Sequence, residues 1–122
     1  MNILFVCAGN ANRSPTCEIY FRKRYPEHEY KSSGTYFASV WHLDTELLMW
    51  ADIVFLMDLD QERYMARSHP EFVEKTHVIG ISDQYDYNDP ALIRLLDYWV
   101  STGAFERACA GVVERNALKM RD

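Results

Sequence analysis

The sequence predicts an α/β protein of three layers, in which helices cover both faces of a doubly wound, four-stranded parallel sheet. Short apolar runs of strand type alternate with longer amphipathic segments, as in strands that are joined through helices. The first run, at residues 3–7, is apolar throughout, which is typical of a central strand buried on both faces. With 122 residues, 48% of them hydrophobic, the chain suffices for one globular domain over residues 1–122. We expect the strand order 2-1-3-4.

Three of the four predicted strands coincide with apolar runs, at residues 3–7, 52–57 and 76–81, whereas residues 29–33 are predicted to form a weaker, edge-like strand. The first helix opens at Ser14 and Pro15, because a proline at the first helical position gives up no hydrogen bond, and it ends at Pro26. Gly34 is a turn residue after the second strand. Ligands of such sheets bind beyond the carboxyl ends of the strands, so the loops after strands one and four are the candidate binding loops.

Aspartates mark the starts of the later helices. Asp44 caps a short second helix, and either Asp58 or Asp60 caps a third that runs to about residue 69. Asp89, followed by Pro90, opens the fourth helix. Because the apolar phase slips at residues 101–103, the pattern predicts a break there and a fifth helix beyond it.

Composition and charge exclude several classes of protein. The net charge of −5 argues against a broad surface for nucleic acid or an anionic membrane. The longest apolar run, residues 3–8, is too short to span a membrane and follows no basic segment, so we expect neither a membrane span nor a signal peptide. The three cysteines lack Cys-x-x-Cys spacing, which indicates free thiols in a reducing, cytoplasmic compartment. The four histidines lack ligand spacing, so we expect no metal and no cofactor.

The loop after the first strand carries the candidate chemistry. It begins at Cys7 and ends at Arg13 and Ser14, between a buried strand and a helix start. A short loop over a helix N-terminus turns several backbone N–H groups toward one point, where they bind an oxyanion and favour the nucleophilic thiolate of Cys7. Arg13 adds a planar guanidinium that matches two phosphate oxygens. We therefore predict a phosphate-binding loop made of Ala8, Gly9, Asn10, Ala11, Asn12, Arg13 and Ser14.

A purely structural interpretation of this loop also exists. In it Cys7 is a buried residue at a strand end, and Arg13 is a solvated helix residue. The loop is not a nucleotide P-loop, because no Gly-Lys-Ser or Gly-Lys-Thr follows, and its single glycine excludes a dinucleotide fingerprint. The other two cysteines, Cys17 and Cys109, lie on apolar helix stripes and are predicted to belong to the core.

The loop resembles the signature of the low-molecular-weight protein tyrosine phosphatases, through the segment Val6-Cys7-Ala8-Gly9-Asn10-x-x-Arg13-Ser14-Pro15. Two further stretches resemble segments of that family: Lys31-Ser32-Ser33-Gly34, and the third strand from Trp50 to its closing Met57-Asp58. The likeness takes in roughly residues 1–100.

The resemblance implies a cysteine-dependent phosphatase of the acid phosphatase type. Cys7 would take the phosphoryl group of phosphotyrosine or another aryl phosphate, with Arg13 and the loop binding its oxygens. Asp83 aligns with the family's general acid by its distance from the fourth strand, while Asp86 and Asp89 stay open as alternatives. The implied partner is a phosphorylated protein or a small aryl phosphate, and we expect a monomer or weak dimer.

The chain is shorter than full-length family members between Ser33 and Asp52, where the family builds much of its substrate-selecting wall. The remaining residues 35–42 are rich in aromatic side chains, and we predict that Trp41 lines the substrate together with Tyr85. The alternative is that the aromatic residues of this stretch only cover the sheet edge. Asn12 stands where many members carry a second cysteine.

Three other functions compete with the phosphatase. A non-catalytic phosphate-binding module would use the same loop without turnover. An arsenate reductase needs two further cysteines on a mobile segment, and this chain has none between Cys17 and Cys109. A sugar-transport phosphocarrier that holds phosphate on a loop cysteine lacks the arginine that is present here as Arg13.

Overall fold

A computed structural model describes residues 1–120. Its elements follow the chain in the order β1 (Asn2–Cys7), α1 (Arg13–Arg24), β2 (Glu29–Gly34), α2 (Thr45–Trp50), β3 (Ile53–Leu56), α3 (Leu59–Ser68), a 3₁₀ helix (Pro70–Lys75), β4 (Thr76–Val78), α4 (Pro90–Ser101) and α5 (Ala104–Lys119). All strands are parallel and lie in the order β2-β1-β3-β4. The predicted three-layer fold and the strand order 2-1-3-4 are confirmed.

β1 is the central strand, and its alternate side chains enter two cores. Ile3 and Phe5 pack with residues of α1, α4 and α5. Leu4 and Val6 pack on the other face with residues of α2 and α3. All four side chains are fully buried, which explains why the run has no polar positions.

The helix starts agree with the predicted caps. The Asp44 side chain accepts a hydrogen bond from the backbone N–H of Leu47, and the Asp89 side chain accepts one from that of Ala91. Asp58, not Asp60, caps α3, in a capping box that it forms with Gln61. The predicted break between α4 and α5 is confirmed, since the chain turns at Gly103 with a φ of 80°.

β4 is shorter than the predicted strand at residues 76–81. The Ile79 N–H still donates to the carbonyl of Leu56, but Gly80 has a φ of 93° and turns the chain out of the sheet. The N–H of Ile81 then donates to the Met57 carbonyl at 2.7 Å. This turn brings the loop after β4 across the carboxyl end of β3 and toward the loop after β1.

None of the helices in residues 1–120 has both the length and the apolar character that a membrane crossing requires.

Candidate active site

Cys7 ends β1 with its sulfur inside the loop of residues 8–12. The backbone N–H of Asn10 donates to Cys7 Sγ at 3.2 Å, and Ser14 Oγ lies 2.9 Å from the same sulfur. Asn10 has a φ of 54°, a left-handed conformation that asparagine adopts more readily than most residues. Its side-chain oxygen accepts from the backbone N–H of Trp41 at 3.2 Å. The loop is therefore tightly curved around the sulfur and tied to the segment after β2.

The hydroxyl of Ser14 connects three groups around the sulfur. Besides Cys7 Sγ, it accepts from the side-chain amide of Asn10 at 2.9 Å and lies 3.2 Å from the carbonyl oxygen of Ser33. The hydroxyl has a single proton, which it can donate either to the Ser33 carbonyl or to the sulfur. Donation to the sulfur stabilises Cys7 when it is a thiolate.

Arg13 lies at the floor of the site and is only 2% exposed. Its Nη1 donates to Asp58 Oδ2 at 2.5 Å and to the carbonyl oxygen of Ile81 at 2.8 Å. Its Nε faces Asp83 Oδ1 at 3.5 Å. The guanidinium is thus oriented by the end of β3 and by the loop after β4, and its buried charge is paired.

A cavity of about 190 Å³ opens over the loop, and its lining residues are Cys7, Ala8, Gly9, Ala11, Asn12, Arg13, Tyr36 and Asp83. The structure therefore brings the three residues predicted to be catalytic to one cavity. Asn10 and Ser14 are buried behind it.

Within residues 1–120, no group of three or more histidine, cysteine, aspartate or glutamate side chains is arranged to hold a metal ion.

The three candidate acids occupy different places. Asp83 lines the cavity with 67% of its side chain exposed. Asp89 caps α4, and its second carboxylate oxygen faces the backbone N–H of Asp86 at 3.4 Å. Neither Asp86 nor Asp89 lines the cavity. Geometry thus favours Asp83 as the proton donor, and this role stays a prediction.

The aromatic residues are distributed differently from the sequence interpretation. Trp41 lies in a separate pocket beside Lys31 and Leu47. Tyr85 packs against the core on the side of α1. Tyr36, which is 62% exposed, is the aromatic residue that lines the cavity itself. The substrate contacts of Trp41 and Tyr85 stay predictions.

Sequence reasoning missed two residues that shape the site. A Cβ on Gly34 would lie 2.5 Å from the carbonyl oxygen of Ala8 and 2.8 Å from the nitrogen of Asn10, so a side chain there would displace the loop. Asp58 was predicted as a possible helix cap and as the end of the family-like third strand, but its contact with Arg13 was not predicted. Both residues lie at the carboxyl ends of strands that pair with β1, which is the signal that could have found them.

Cys17 and Cys109 are buried, which confirms their predicted place in the core. Burial raises the pKa of the Cys17 thiol and raises that of Cys109 to about 11. The Cys17 thiol faces Met57 Sδ at 3.9 Å inside this core. Both residues are therefore held as unreactive thiols near neutral pH.

We expect hydrogen peroxide to oxidise Cys7 without joining it to Cys17. Cys17 is fully buried and stays protonated, so it cannot act as the resolving thiolate. Peptide mass mapping after peroxide treatment would detect sulfenic, sulfinic or sulfonic acid on Cys7, with the Cys7→Ser variant as control. A mapped Cys7–Cys17 disulfide would contradict the expectation.

The chain is similar to several known phosphatases. The low molecular weight protein-tyrosine-phosphatase Ptp of Acinetobacter johnsonii is 28% identical over 112 residues, covering 73% of this chain and 79% of that protein. The tyrosine phosphatase Wzb from Escherichia coli K30, solved in complex with phosphate, superposes with a TM-score of 0.73 at 21% identity, over 86% of this chain and 96% of that one. The YwlE arginine phosphatase from Geobacillus stearothermophilus superposes with a TM-score of 0.64 at 23% identity, over 98% and 92%. No protein-family model matches the chain.

Proposed function

We propose that this chain, whose similarity to the low-molecular-weight protein tyrosine phosphatases is confirmed by its curated relative, hydrolyses aryl phosphate monoesters such as phosphotyrosine. The proposal rests on one observation, the meeting of Cys7, Arg13 and Asp83 at a single cavity above a helix N-terminus. These groups are a nucleophile, a fixed cation and a carboxylic acid, which are the three parts that phosphoryl transfer to cysteine needs. The proposed substrate is a phosphorylated protein or a small aryl phosphate.

In the first step the phosphoryl group enters the loop, and the backbone N–H groups of residues 8–14 together with Arg13 bind its equatorial oxygens. Cys7 Sγ attacks phosphorus opposite the aryl oxygen. The S–P bond forms as the P–O bond breaks, and the electron pair of that bond stays on the aryl oxygen. Asp83 gives this oxygen a proton, so a phenol leaves and a phosphocysteine remains.

In the second step water attacks phosphorus, and the Asp83 carboxylate takes a proton from it. The S–P bond breaks, and inorganic phosphate and the Cys7 thiolate are formed. Two groups stabilise that thiolate: the Ser14 hydroxyl at 2.9 Å and the Asn10 N–H at 3.2 Å. The same contacts improve sulfur as a leaving group, because they stabilise the negative charge that it gains.

We expect Asp83→Ala to lower kcat for phenyl phosphate by about 10²-fold or more, since a positioned general acid contributes that much. The loss should be smaller with p-nitrophenyl phosphate, because p-nitrophenolate leaves readily without a proton. Steady-state kinetics in the presence of a metal chelator would measure both substrates.

Asp86→Ala and Asp89→Ala are the matched controls for this experiment, and both should keep the leaving-group dependence of the wild type. If Asp83→Ala is unimpaired while one of these variants is inactive, Asp83 is not the acid. Turnover that requires a metal ion would contradict the whole mechanism.

We also propose that the protein is cytoplasmic, that residues 1–122 form one domain, and that it is a monomer or weak dimer. Its three cysteines are free and buried, which suits a reducing compartment.

A further inference from the structure

A second polar pocket lies beside the cavity and shares one wall with it. The pocket has a volume of about 360 Å³, and its lining residues are Thr35, Tyr36, Asp60, Gln61, Arg63, Tyr64 and Arg67. Tyr36 lines both spaces. Its backbone N–H donates to the carbonyl of Ala8 at 2.9 Å, so this wall is anchored on the phosphate-binding loop. The two spaces are therefore neighbours that share the Tyr36 residue.

The second pocket carries an excess of positive charge. Arg63 and Arg67 are four residues apart on α3 and therefore lie on the same face, where two like charges repel each other. Arg63 pairs with Asp60 at 2.9 Å. In the part of the chain that the structure describes, no ion pair or hydrogen bond holds the Arg67 guanidinium. The pocket thus offers two guanidinium groups against one carboxylate, in a protein with a net charge of −5.

The start of the helix that carries the two arginines is fixed relative to Arg13 by Asp58. One oxygen of its carboxylate binds Arg13, and the other accepts from the backbone N–H of Asp60 at 2.8 Å in the first turn of α3. Gln61 is buried and completes the capping box. The helix that carries Arg63 and Arg67 therefore begins on the residue that orients the cation of the cavity. Such a rigid link lets two binding sites recognise one ligand together.

We infer that this pocket binds a second anionic group of the substrate, a carboxylate or a phosphate close to the phosphotyrosine on the same peptide. The inference rests on the proposed function and adds a substrate class to it. Planar guanidinium groups match both kinds of oxyanion. The local positive charge also offsets the repulsion that an acidic peptide meets from the negatively charged protein. Substrates with an acidic neighbour or a second phosphate are therefore preferred.

The test compares short phosphotyrosine peptides. Each carries glutamate, phosphoserine or glutamine at one of the two positions before the phosphotyrosine or one of the two positions after it. We expect kcat/KM for the best glutamate or phosphoserine peptide to exceed that of its glutamine counterpart by about tenfold, the effect of one charge-assisted contact. In the double variant Arg63→Gln, Arg67→Gln this ratio should fall to about one. Arg94→Gln on α4 is the matched control, because Arg94 is exposed on the opposite layer, and it should keep the wild-type ratio.

A wild-type ratio near one, a ratio that survives in the double variant, or an equal loss in Arg94→Gln would overturn the inference. The glutamate and phosphoserine arms tell which anion the pocket prefers, and mass spectrometry identifies the phosphate that leaves. Turnover of p-nitrophenyl phosphate by the wild type is measured in parallel. Its absence would overturn the proposed function and the inference with it, whereas its presence with a flat peptide series overturns the inference alone.

Discussion

Replacing Cys7 with serine is expected to lower kcat for aryl phosphates by at least about 10⁴-fold, because the reaction loses its nucleophile. A serine hydroxyl in the same place is a much weaker nucleophile than a cysteine sulfur. Asn10 and Ser14 would still contact the new oxygen, and the phosphate-binding N–H groups would remain. The variant should therefore still bind inorganic phosphate, as calorimetry would measure, while steady-state turnover of phenyl phosphate is lost.

The control for this experiment is Cys109→Ser, which makes the same atomic change in the core. Cys109 is 9% exposed and packs among residues of α1 and α5, away from the loop. We expect this variant to keep its activity and to lose a little thermal stability. Full activity in Cys7→Ser, or an equal loss in Cys109→Ser, would show that the chemistry does not pass through Cys7.

Arg13→Lys is expected to lower kcat by about 10³-fold although the charge is kept. An ammonium group cannot bind Asp58, the Ile81 carbonyl and two phosphoryl oxygens in the planar arrangement that the guanidinium allows. The loss should appear in kcat more than in KM, since the charge on the phosphoryl oxygens is stabilised most in the transition state. Steady-state kinetics with p-nitrophenyl phosphate would measure the two constants.

Arg22→Lys on the same helix is the matched control, because its guanidinium pairs with Glu18 at the surface. It should leave kcat unchanged. Arg13 is buried, so circular dichroism must show that Arg13→Lys folds. Asp58→Asn serves as the second variant, since it keeps Arg13 but weakens its strongest contact, and we expect about a tenfold loss in kcat. Near wild-type kcat in both variants would contradict the assigned role of Arg13.

The place of the loop from Cys7 to Arg13, between a strand end and a helix start, was predictable from sequence because its parts are contiguous. Cys7 and Arg13 are separated by five residues, so the geometry of one strand end and one helix start brings them together whatever the rest of the chain does. β1 was predictable for a related reason. A strand buried on both faces has no polar position, and its five apolar residues show this directly. Local helix caps such as Asp44 and Asp89 likewise depend only on their neighbours.

The end of β4 was not predictable from its apolar run. Ile79 and Ile81 are apolar like strand residues, but Gly80 has a positive φ and directs the chain across β3. Hydropathy records whether a residue is buried and does not record where the backbone turns. The consequence for the site is direct, because the Ile81 carbonyl and Asp83 reach Arg13 through this turn.

The sequence alone predicted the loop from Cys7 to Arg13 at the end of β1, the α/β architecture and the negative net charge, since each depends on neighbouring residues or on total composition. Only the tertiary structure decided which of three acids reaches the cavity, that Asp58 orients Arg13, and that Arg63 and Arg67 stand beside Tyr36. These residues come from separate segments of the chain. Their positions depend on how β3, β4 and α3 pack around β1, and long-range packing of this kind leaves no local pattern in the sequence.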